Sequence, residues 1–247
     1  MNDGRTTLGR MSEADLRRGV DELARREPVF AGVVARHGMP PTWERPPGMA
    51  SLLHIMLEQQ VSLASARATF DRLRVIADPL TAGNLLKLDD VQLRTAGFSR
   101  QKARYARAVA GAVVDGSLDF EALSDLADDE VDARLQAVPG IGPWTSAIYR
   151  LSALGRPDAW PSGDLAVIAG IAALWQLPSL PTPAETVVRA EAWRPWRAVA
   201  ARLIWQEYLA ARAGKGDAQK RARGGVPQKR AREGRPQEKE ESPRRRC

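Results

Sequence analysis

The 247-residue sequence contains one cysteine, Cys247, and no apolar segment of membrane-spanning length. A disulfide within the chain and an iron–sulfur cluster held by four cysteines are therefore excluded. The longest apolar run, residues 165–175, has 11 residues, whereas a helix needs about 20 to cross a bilayer. No apolar run near the first residue resembles a signal peptide. These absences favour a cytoplasmic protein that does not bind membranes.

The larger part of the chain also lacks a net charge. Residues 1–213 contain 25 Lys/Arg and 25 Asp/Glu, whereas residues 214–247 contain 12 and 5. The formal net charge of +7 thus belongs to the C-terminal segment, in which Val226 is the only large aliphatic residue. We expect this segment to be a disordered basic tail with non-specific attraction to polyanions.

Signals for β-structure are missing as well, because no run of alternating β-branched residues and no Asn-Gly hairpin signal occurs. Helical periodicity predicts an all-α fold instead. The first predicted helix starts after the N-cap Ser12, and the second covers residues 49–73. Residues 80–93 are expected to form a pair of short helices. Another helix follows the cap Ser99 over residues 100–115, and the last covers residues 195–212. The apolar segment 165–175 predicts a helix buried in the centre of the protein.

Two further helical patterns flank a tight turn, Val-Pro-Gly-Ile-Gly-Pro, at residues 138–143. Gly140 and Gly142 allow positive φ and leave space for a ligand beside the backbone. Pro143 opens the next helix, whose N-terminal amides and positive dipole end favour an anion such as phosphate. The simpler interpretation is a helix–turn–helix corner that binds nothing.

Asp164 directly precedes the apolar helix at 165–175. The ordinary role of an acid there is that of an N-cap, a role that Ser162 fills equally well in the sequence. The functional interpretation is a carboxylate held rigidly at the rim of a cleft, and the two roles are compatible. Together with the turn, Asp164 indicates a DNA-handling unit.

Two tryptophans are candidates for contact with an aromatic ligand. Trp144 shares a helical stripe with Ile148, so plain core packing explains it equally well. Trp205 falls roughly opposite Trp196 on the last helix and therefore lies off its apolar stripe. It either fills a seam between lobes or binds a flat ligand.

Five motifs together resemble the helix-hairpin-helix DNA glycosylases that carry the Gly/Pro-Asp motif, and most of all the 3-methyladenine DNA glycosylase II branch. The motifs are MLEQQVS at 56–62, GFS at 97–99 with Lys102 and Tyr105, VPGIGPWT at 138–145, PSGDLAV at 161–167, and RPWR at 194–197 with Ile204 and Trp205. They span residues 49–212 in the order and spacing expected of that family.

The resemblance implies a two-lobed helical enzyme that hydrolyses the N-glycosidic bond of a damaged base in duplex DNA, a step of base excision repair. Asp164 matches the catalytic aspartate. Trp144 occupies the position at which bifunctional relatives carry a lysine nucleophile, so a water should attack the sugar and no AP lyase activity is expected. No cofactor is expected apart from a structural Na⁺ or K⁺.

The resemblance also implies roles in DNA binding. The residues of the phosphate-binding hairpin are Val138, Gly140, Ile141, Gly142 and Thr145, with the monovalent cation at the carbonyls of Val138 and Ile141. Gln60 matches the wedge that fills the gap left by the extruded nucleotide, although adjacent glutamines within a helix are also typical of a solvated face. Ile148 stands where some relatives have a pocket tyrosine, and Tyr149 follows it. The expected base pocket consists of Trp144, Ile148, Tyr149 and Trp205.

Residue chemistry supports the excision of alkylated, methylated purines. Bond cleavage passes through an oxocarbenium-like sugar that one carboxylate stabilises, and Asp164 is the one candidate at the hairpin. A cationic alkylpurine leaves without a second acid and is bound well by tryptophan faces. Two alternatives stay open, namely adenine removal from a mismatch and a catalytically silent hairpin protein that binds or senses damaged DNA. The missing cysteine cluster disfavours the first, and Asp164 disfavours the second.

We divide the chain into four parts. Residues 1–48 form an N-terminal helical segment that packs on the second lobe, residues 49–126 the central lobe, residues 127–213 the helix-hairpin-helix lobe with the catalytic Asp164, and residues 214–247 the tail. We expect double-stranded DNA with alkylated bases as the partner. The expected working form is a monomer, associated with the nucleoid in a bacterial cell.

Overall fold

The computed structural model describes residues 9–224, with side-chain detail through Gly214. Its α-helices are α1 Glu13–Arg26, α2 Pro28–His37, α3 Met49–Glu58, α4 Leu63–Ile76, α5 Ala82–Leu86, α6 Asp90–Ala96, α7 Arg100–Val114, α8 Asp128–Gln136, α9 Pro143–Ser152, α10 Leu165–Leu174, α11 Pro183–Ala190 and α12 Arg197–Gly224. Short 3₁₀ helices cover Ala122–Ser124 and Glu191–Trp193. No strand occurs between residues 9 and 224, and the prediction of an all-α fold is confirmed.

The helix starts that the sequence indicates by capping residues are present. Ser12 accepts the N–H of Asp15 at 3.1 Å, and its own N–H donates to the Asp15 carboxylate at 2.9 Å, which forms a capping box at α1. Ser99 accepts the N–H of Lys102 at 3.2 Å at the start of α7. These local signals fix the direction in which each helix leaves its loop.

The prediction of one helix over residues 49–73 is wrong, because the structure has two helices separated by a turn at residues 59–62. Gln60 in this turn has a left-handed φ of +58°. Ser62 starts the second helix by accepting the N–H of Ser65 at 3.2 Å. The break leaves Gln60 exposed, whereas Gln59 is partly buried, so the two glutamines do not share a solvated helix face.

The predicted last helix, residues 195–212, is also wrong at both ends. Arg194 has an extended conformation, as is usual before proline, and α12 begins at Arg197. The helix continues through Gly214 to Gly224, a stretch rich in the good helix formers Ala, Lys, Gln and Arg. Residues 214–224 of the expected tail therefore have a helical backbone, and residues 225–247 lie outside the described range.

Buried apolar side chains form two clusters. The first cluster combines α3–α7 with the hairpin helices α8 and α9. The second combines α1 and α2 with α10, α11 and the first turns of α12. The boundary lies within α9, since Tyr149 belongs to the first cluster and Leu151 to the second. Trp205 packs against both clusters, so α9 and α12 meet where the two bodies of apolar side chains join.

Helix α10 carries Asp164 at its N-terminus and is only partly enclosed. Val167, Ile168 and Ile171 are buried, whereas Leu165 is 79% exposed. The expectation of a helix buried all round is thus wrong at its first turn, which faces the surface next to Asp164. Within residues 9–224, no helix has the length and apolar character needed to cross a membrane.

The chain separates into a compact unit, Met1–Ala210, and a second unit, Ala211–Cys247. All of the site described below belongs to the first unit.

Candidate active site

Asp164 is the N-cap of α10, and its side chain is partly exposed. The Oδ1 atom accepts the N–H of Val167 at 2.9 Å, which satisfies one of the free amides of the first turn. The N–H of Asp164 in turn donates to the carbonyl of Pro161 at 3.1 Å. The carboxylate is therefore fixed to a helix end and still reaches the surface, so the capping and functional interpretations are compatible.

Two indoles complete the surroundings of this carboxylate. Trp144 donates from Nε1 to Oδ2 of Asp164 at 3.0 Å, and Trp205 donates from Nε1 to Oδ1 at 3.1 Å. Hydrogen bonds to a charged acceptor are stronger than neutral ones and fix its orientation. A carboxylate has about four acceptor positions, so the three donors leave room for another contact. Both tryptophans thus lie at Asp164 and orient it through their N–H groups.

A third tryptophan, which the sequence pattern does not single out, lies next to this pair. The ring of Trp43 meets that of Trp205 edge to face, with centroids 5.9 Å apart and an angle of 85° between the planes. Trp43 has φ +46°, a rare conformation for a large side chain that persists only where the surroundings enforce it. The sequence feature that could have drawn attention to Trp43 is its place within a proline-rich connection.

The loop that carries Trp43 is held by a buried arginine of α12 and by an ion pair to α3. Arg202 of α12 is fully buried and donates to the carbonyls of Thr42 and Leu151, both at 3.0 Å. Burial lowers the pKa of Arg202 to about 10. Arg45 forms an ion pair with Glu58 at 2.8 Å. These anchors keep the loop against α9 and α12, where the indoles meet.

The other two predicted pocket residues are both buried and face different sides of α9. Ile148 is one turn after Trp144 on α9 and therefore shares its face. Tyr149 is fully buried, and its hydroxyl accepts the N–H of Gly48 at 2.8 Å. Burial raises the pKa of Tyr149 to about 12. The structure therefore brings Ile148, and not Tyr149, to the side of α9 that carries Trp144.

The hairpin between α8 and α9 presents an open helix N-terminus. Among the side chains that the structure describes, none caps the N-terminus of α9 at Gly142. Gly140 has φ +94°, and a Cβ there would lie 2.2 Å from the Tyr105 ring. A Cβ at Gly142 would meet no described atom within 4 Å. Gly140 is thus needed for packing, whereas Gly142 leaves space beside the free amides of α9.

The remaining hairpin residues contribute mainly through the backbone. The side chains of Val138, Ile141 and Thr145 are buried, and the hydroxyl of Thr145 accepts a hydrogen bond from Gln59 at 2.7 Å. The carbonyl of Val138 accepts the N–H of Ile141 at 3.1 Å. A carbonyl oxygen has a second lone pair, so this arrangement is compatible with a monovalent cation.

An open groove of about 680 Å³ runs between the hairpin, the start of α7 and the turn at residues 59–62. Its lining includes Gln60, Val61, Ser99, Tyr105, Gly140 and Gly142. The side chain of Gln60 is exposed at this groove. The structure thus places the predicted wedge on the same surface as the predicted phosphate site. Across the part of the chain with described side chains, no group of three His, Cys, Asp or Glu residues is arranged to hold a metal ion.

Comparison with known proteins agrees with this architecture. Schizosaccharomyces pombe DNA-3-methyladenine glycosylase 1 is 29% identical over 159 residues, which are 63% of this chain and 70% of that protein. The structure of the S. pombe 3-methyladenine DNA glycosylase in complex with abasic DNA has a TM-score of 0.72 and 26% identity, over 76% of this chain and 95% of that one.

A Bacillus halodurans DNA-3-methyladenine glycosidase has a TM-score of 0.67 and 27% identity, over 77% of this chain and 88% of that one. The chain covers about 40% of the length of three further relatives, two from Bacillus subtilis and one from Escherichia coli. The family model of the HhH-GPD superfamily of base excision DNA repair proteins matches residues 53–198. This range includes the hairpin between α8 and α9 and Asp164 at the start of α10. The chain therefore belongs to the HhH-GPD superfamily of base excision DNA repair proteins.

Proposed function

We propose that this protein is a DNA glycosylase of the 3-methyladenine type, which hydrolyses the N-glycosidic bond of alkylated purines in duplex DNA. The observation that carries the proposal is the partly exposed Asp164 carboxylate, which is held by two indole N–H groups and a helix end. Relatives named as DNA-3-methyladenine glycosylases support the same activity.

The Asp164 carboxylate stabilises the positive charge that develops on the sugar as the bond to the base breaks. A carboxylate whose orientation is fixed before substrate binds needs no reorganisation in the transition state. The rings of Trp144 and Trp205, with Trp43 beside them, bind the flat cationic purine through cation–π attraction and stacking. Because a purine alkylated at the ring nitrogen N3 or N7 is already cationic, it departs without protonation by a second acid.

Water is the proposed nucleophile. Trp144 stands at the position where bifunctional relatives carry a lysine, and its indole N–H is committed to Asp164. An indole cannot form a Schiff base with the sugar, so we propose a monofunctional enzyme without AP lyase activity. The product is then an intact strand with an abasic site.

For DNA binding, we propose that the free amides at Gly142 and the start of α9 bind a backbone phosphate. The open space at Gly142 supports this assignment, and a Na⁺ or K⁺ at the carbonyls of Val138 and Ile141 would add positive charge there. Gln60 fills the gap left by the extruded nucleotide. We further propose that the protein acts as a monomer on DNA in the cytoplasm.

The test is release of bases from methylated duplex DNA, followed by strand analysis with and without alkali. The proposal predicts released methylpurines and strands that break only after alkali. Breaks without alkali would contradict the monofunctional mechanism. Tight duplex binding without release would favour the catalytically silent alternative, and release of adenine opposite a mismatch alone would favour the mismatch alternative.

A further inference from the structure

Four hydrogen bonds connect the turn at residues 59–62 and the end of α3 before it to two other elements. Lys102 of α7 donates from Nζ to the carbonyl of Leu57 at 2.7 Å and to the carbonyl of Gln59 at 3.0 Å. The side-chain Nε2 of Gln59 donates to the carbonyl of Gly140 at 3.1 Å and to Oγ1 of Thr145 at 2.7 Å. The turn is thus connected to α7 through Lys102 and to the hairpin through Gln59.

The turn has weak hydrogen bonds of its own. The N–H of Gln59 lies 3.4 Å from the carbonyl of Met56, and the N–H of Val61 lies 3.5 Å from that of Glu58. Both distances exceed the usual range for a backbone hydrogen bond. Gln60 between them has the left-handed φ of +58°, which non-glycine residues adopt rarely. The contacts of Lys102 and Gln59 therefore account for the shape of the turn better than its local bonds do.

The environment strengthens the Lys102 contacts. The ammonium group lies at the C-terminal end of α3, where the carbonyls carry partial negative charge. Partial burial lowers the pKa of Lys102 below its usual value. Hydrogen bonds from a charged donor that is partly withdrawn from water are stronger than those at an open surface.

We propose that Gln59 and Lys102 are positioning residues that hold Gln60 at a fixed place over the phosphate-binding hairpin. Phosphate binding and wedge insertion then occur on one preformed surface, and no free energy is lost to ordering the turn when the nucleotide is extruded. This inference rests on the proposed roles of Gln60 and of the hairpin. It adds that the coupling between them resides in two side chains that do not touch the base.

The experiment compares one methylated purine in two duplexes under single-turnover conditions. In the first duplex the purine is paired, and in the second it lies in a one-nucleotide bulge, where no base pair has to be broken. Both duplexes keep the flanking phosphates. We expect Gln59→Met and Lys102→Met each to slow release from the paired duplex about tenfold and to change release from the bulge less than about twofold.

Two control variants separate positioning from general support. Lys102→Arg keeps a charged donor and should recover most of the rate on the paired duplex. Gln101 lines the same groove but donates to the hydroxyl of Tyr105 at 2.8 Å, so Gln101→Ala should affect both duplexes equally, if at all. Thermal unfolding of each variant checks that the fold is intact.

A second readout does not depend on catalysis. The fluorescence of 2-aminopurine at the target position increases when the base leaves the stack, so it reports extrusion directly. We expect the increase on the paired duplex to be smaller for Gln59→Met than for the wild type. Equal slowing on both duplexes, or an unchanged extrusion signal, would overturn the inference. If the wild type releases no base, the proposed function fails, and the fluorescence comparison still decides the inference.

Discussion

Gly140 and Gly142 are two residues apart in the hairpin, and the structure predicts opposite consequences for the same substitution. Gly140 has φ +94°, and a Cβ there would lie 2.2 Å from Cγ of Tyr105. Gly142 has φ −97°, and a Cβ there would lie in space that the described atoms leave open. Alanine should therefore destabilise the fold at Gly140 and leave it nearly unchanged at Gly142.

The magnitudes follow from these two environments. A left-handed backbone costs alanine roughly 1–2 kcal/mol, and overpacking against the Tyr105 ring adds about 1–3 kcal/mol. Gly140→Ala should thus lower the free energy of unfolding by about 2–5 kcal/mol, which corresponds to a fall in Tm of roughly 4–20 °C for a domain of this size. Gly142→Ala should change the free energy of unfolding by less than about 1 kcal/mol.

In DNA binding, by contrast, we expect the larger effect from Gly142→Ala. The methyl group of Gly142→Ala occupies the space beside the free amides of α9, so we expect affinity for an abasic-site duplex to fall about tenfold at constant salt. Circular dichroism gives Tm, and fluorescence anisotropy of labelled duplex gives the affinity. A wild-type Tm for Gly140→Ala would refute the packing argument, and wild-type affinity for Gly142→Ala would refute the phosphate site.

Three further substitutions test the surroundings of the site. Trp205→Phe keeps a ring but removes an N–H donor from Asp164, so single-turnover release should slow about tenfold; an unchanged rate would argue against an orienting role. Trp43→Leu removes the ring beside Trp205 and should slow single-turnover release of a cationic methylpurine about threefold; an unchanged rate would argue against a contact between Trp43 and the base. Burial lowers the pKa of His54, so the unfolded state takes up a proton that the folded state resists. The free energy of unfolding should therefore fall as the pH drops below about 6.5, and urea titrations of His54→Phe should show a weaker dependence.

Features encoded by neighbouring residues are predictable from the sequence. The capping residues Ser12 and Ser99, the hairpin glycines and the helix that follows Asp164 all depend on residues within a few positions of each other. The helical periodicity of these segments is enough to predict the all-α class. Asp164 and the two tryptophans that contact it were identifiable because each stands in a specific motif.

Features produced by distant contacts are not predictable in this way. At the break after α3, Lys102 donates to the carbonyl of Leu57, which lies more than 40 residues before it in the chain. Apolar residues resume after the polar residues 58–60, so the sequence favours one long helix. Trp43 lacks a periodic pattern, and contacts between distant residues, among them Arg202 with the carbonyl of Thr42 and Trp43 with Trp205, place it at the site. The helical pattern of the sequence likewise does not show which way Tyr149 faces. In the structure, its hydroxyl accepts the backbone N–H of Gly48.

The role of the Asp164 carboxylate in base excision, with two indoles orienting it, can be tested directly. The most direct measurement is the single-turnover rate of methylpurine release by Asp164→Asn, together with its affinity for an abasic-site duplex. The amide keeps the size of the side chain but removes its negative charge. We predict that release slows by at least about a hundredfold while the affinity stays near that of the wild type. Release by Asp164→Asn at a rate close to that of the wild type would contradict the account.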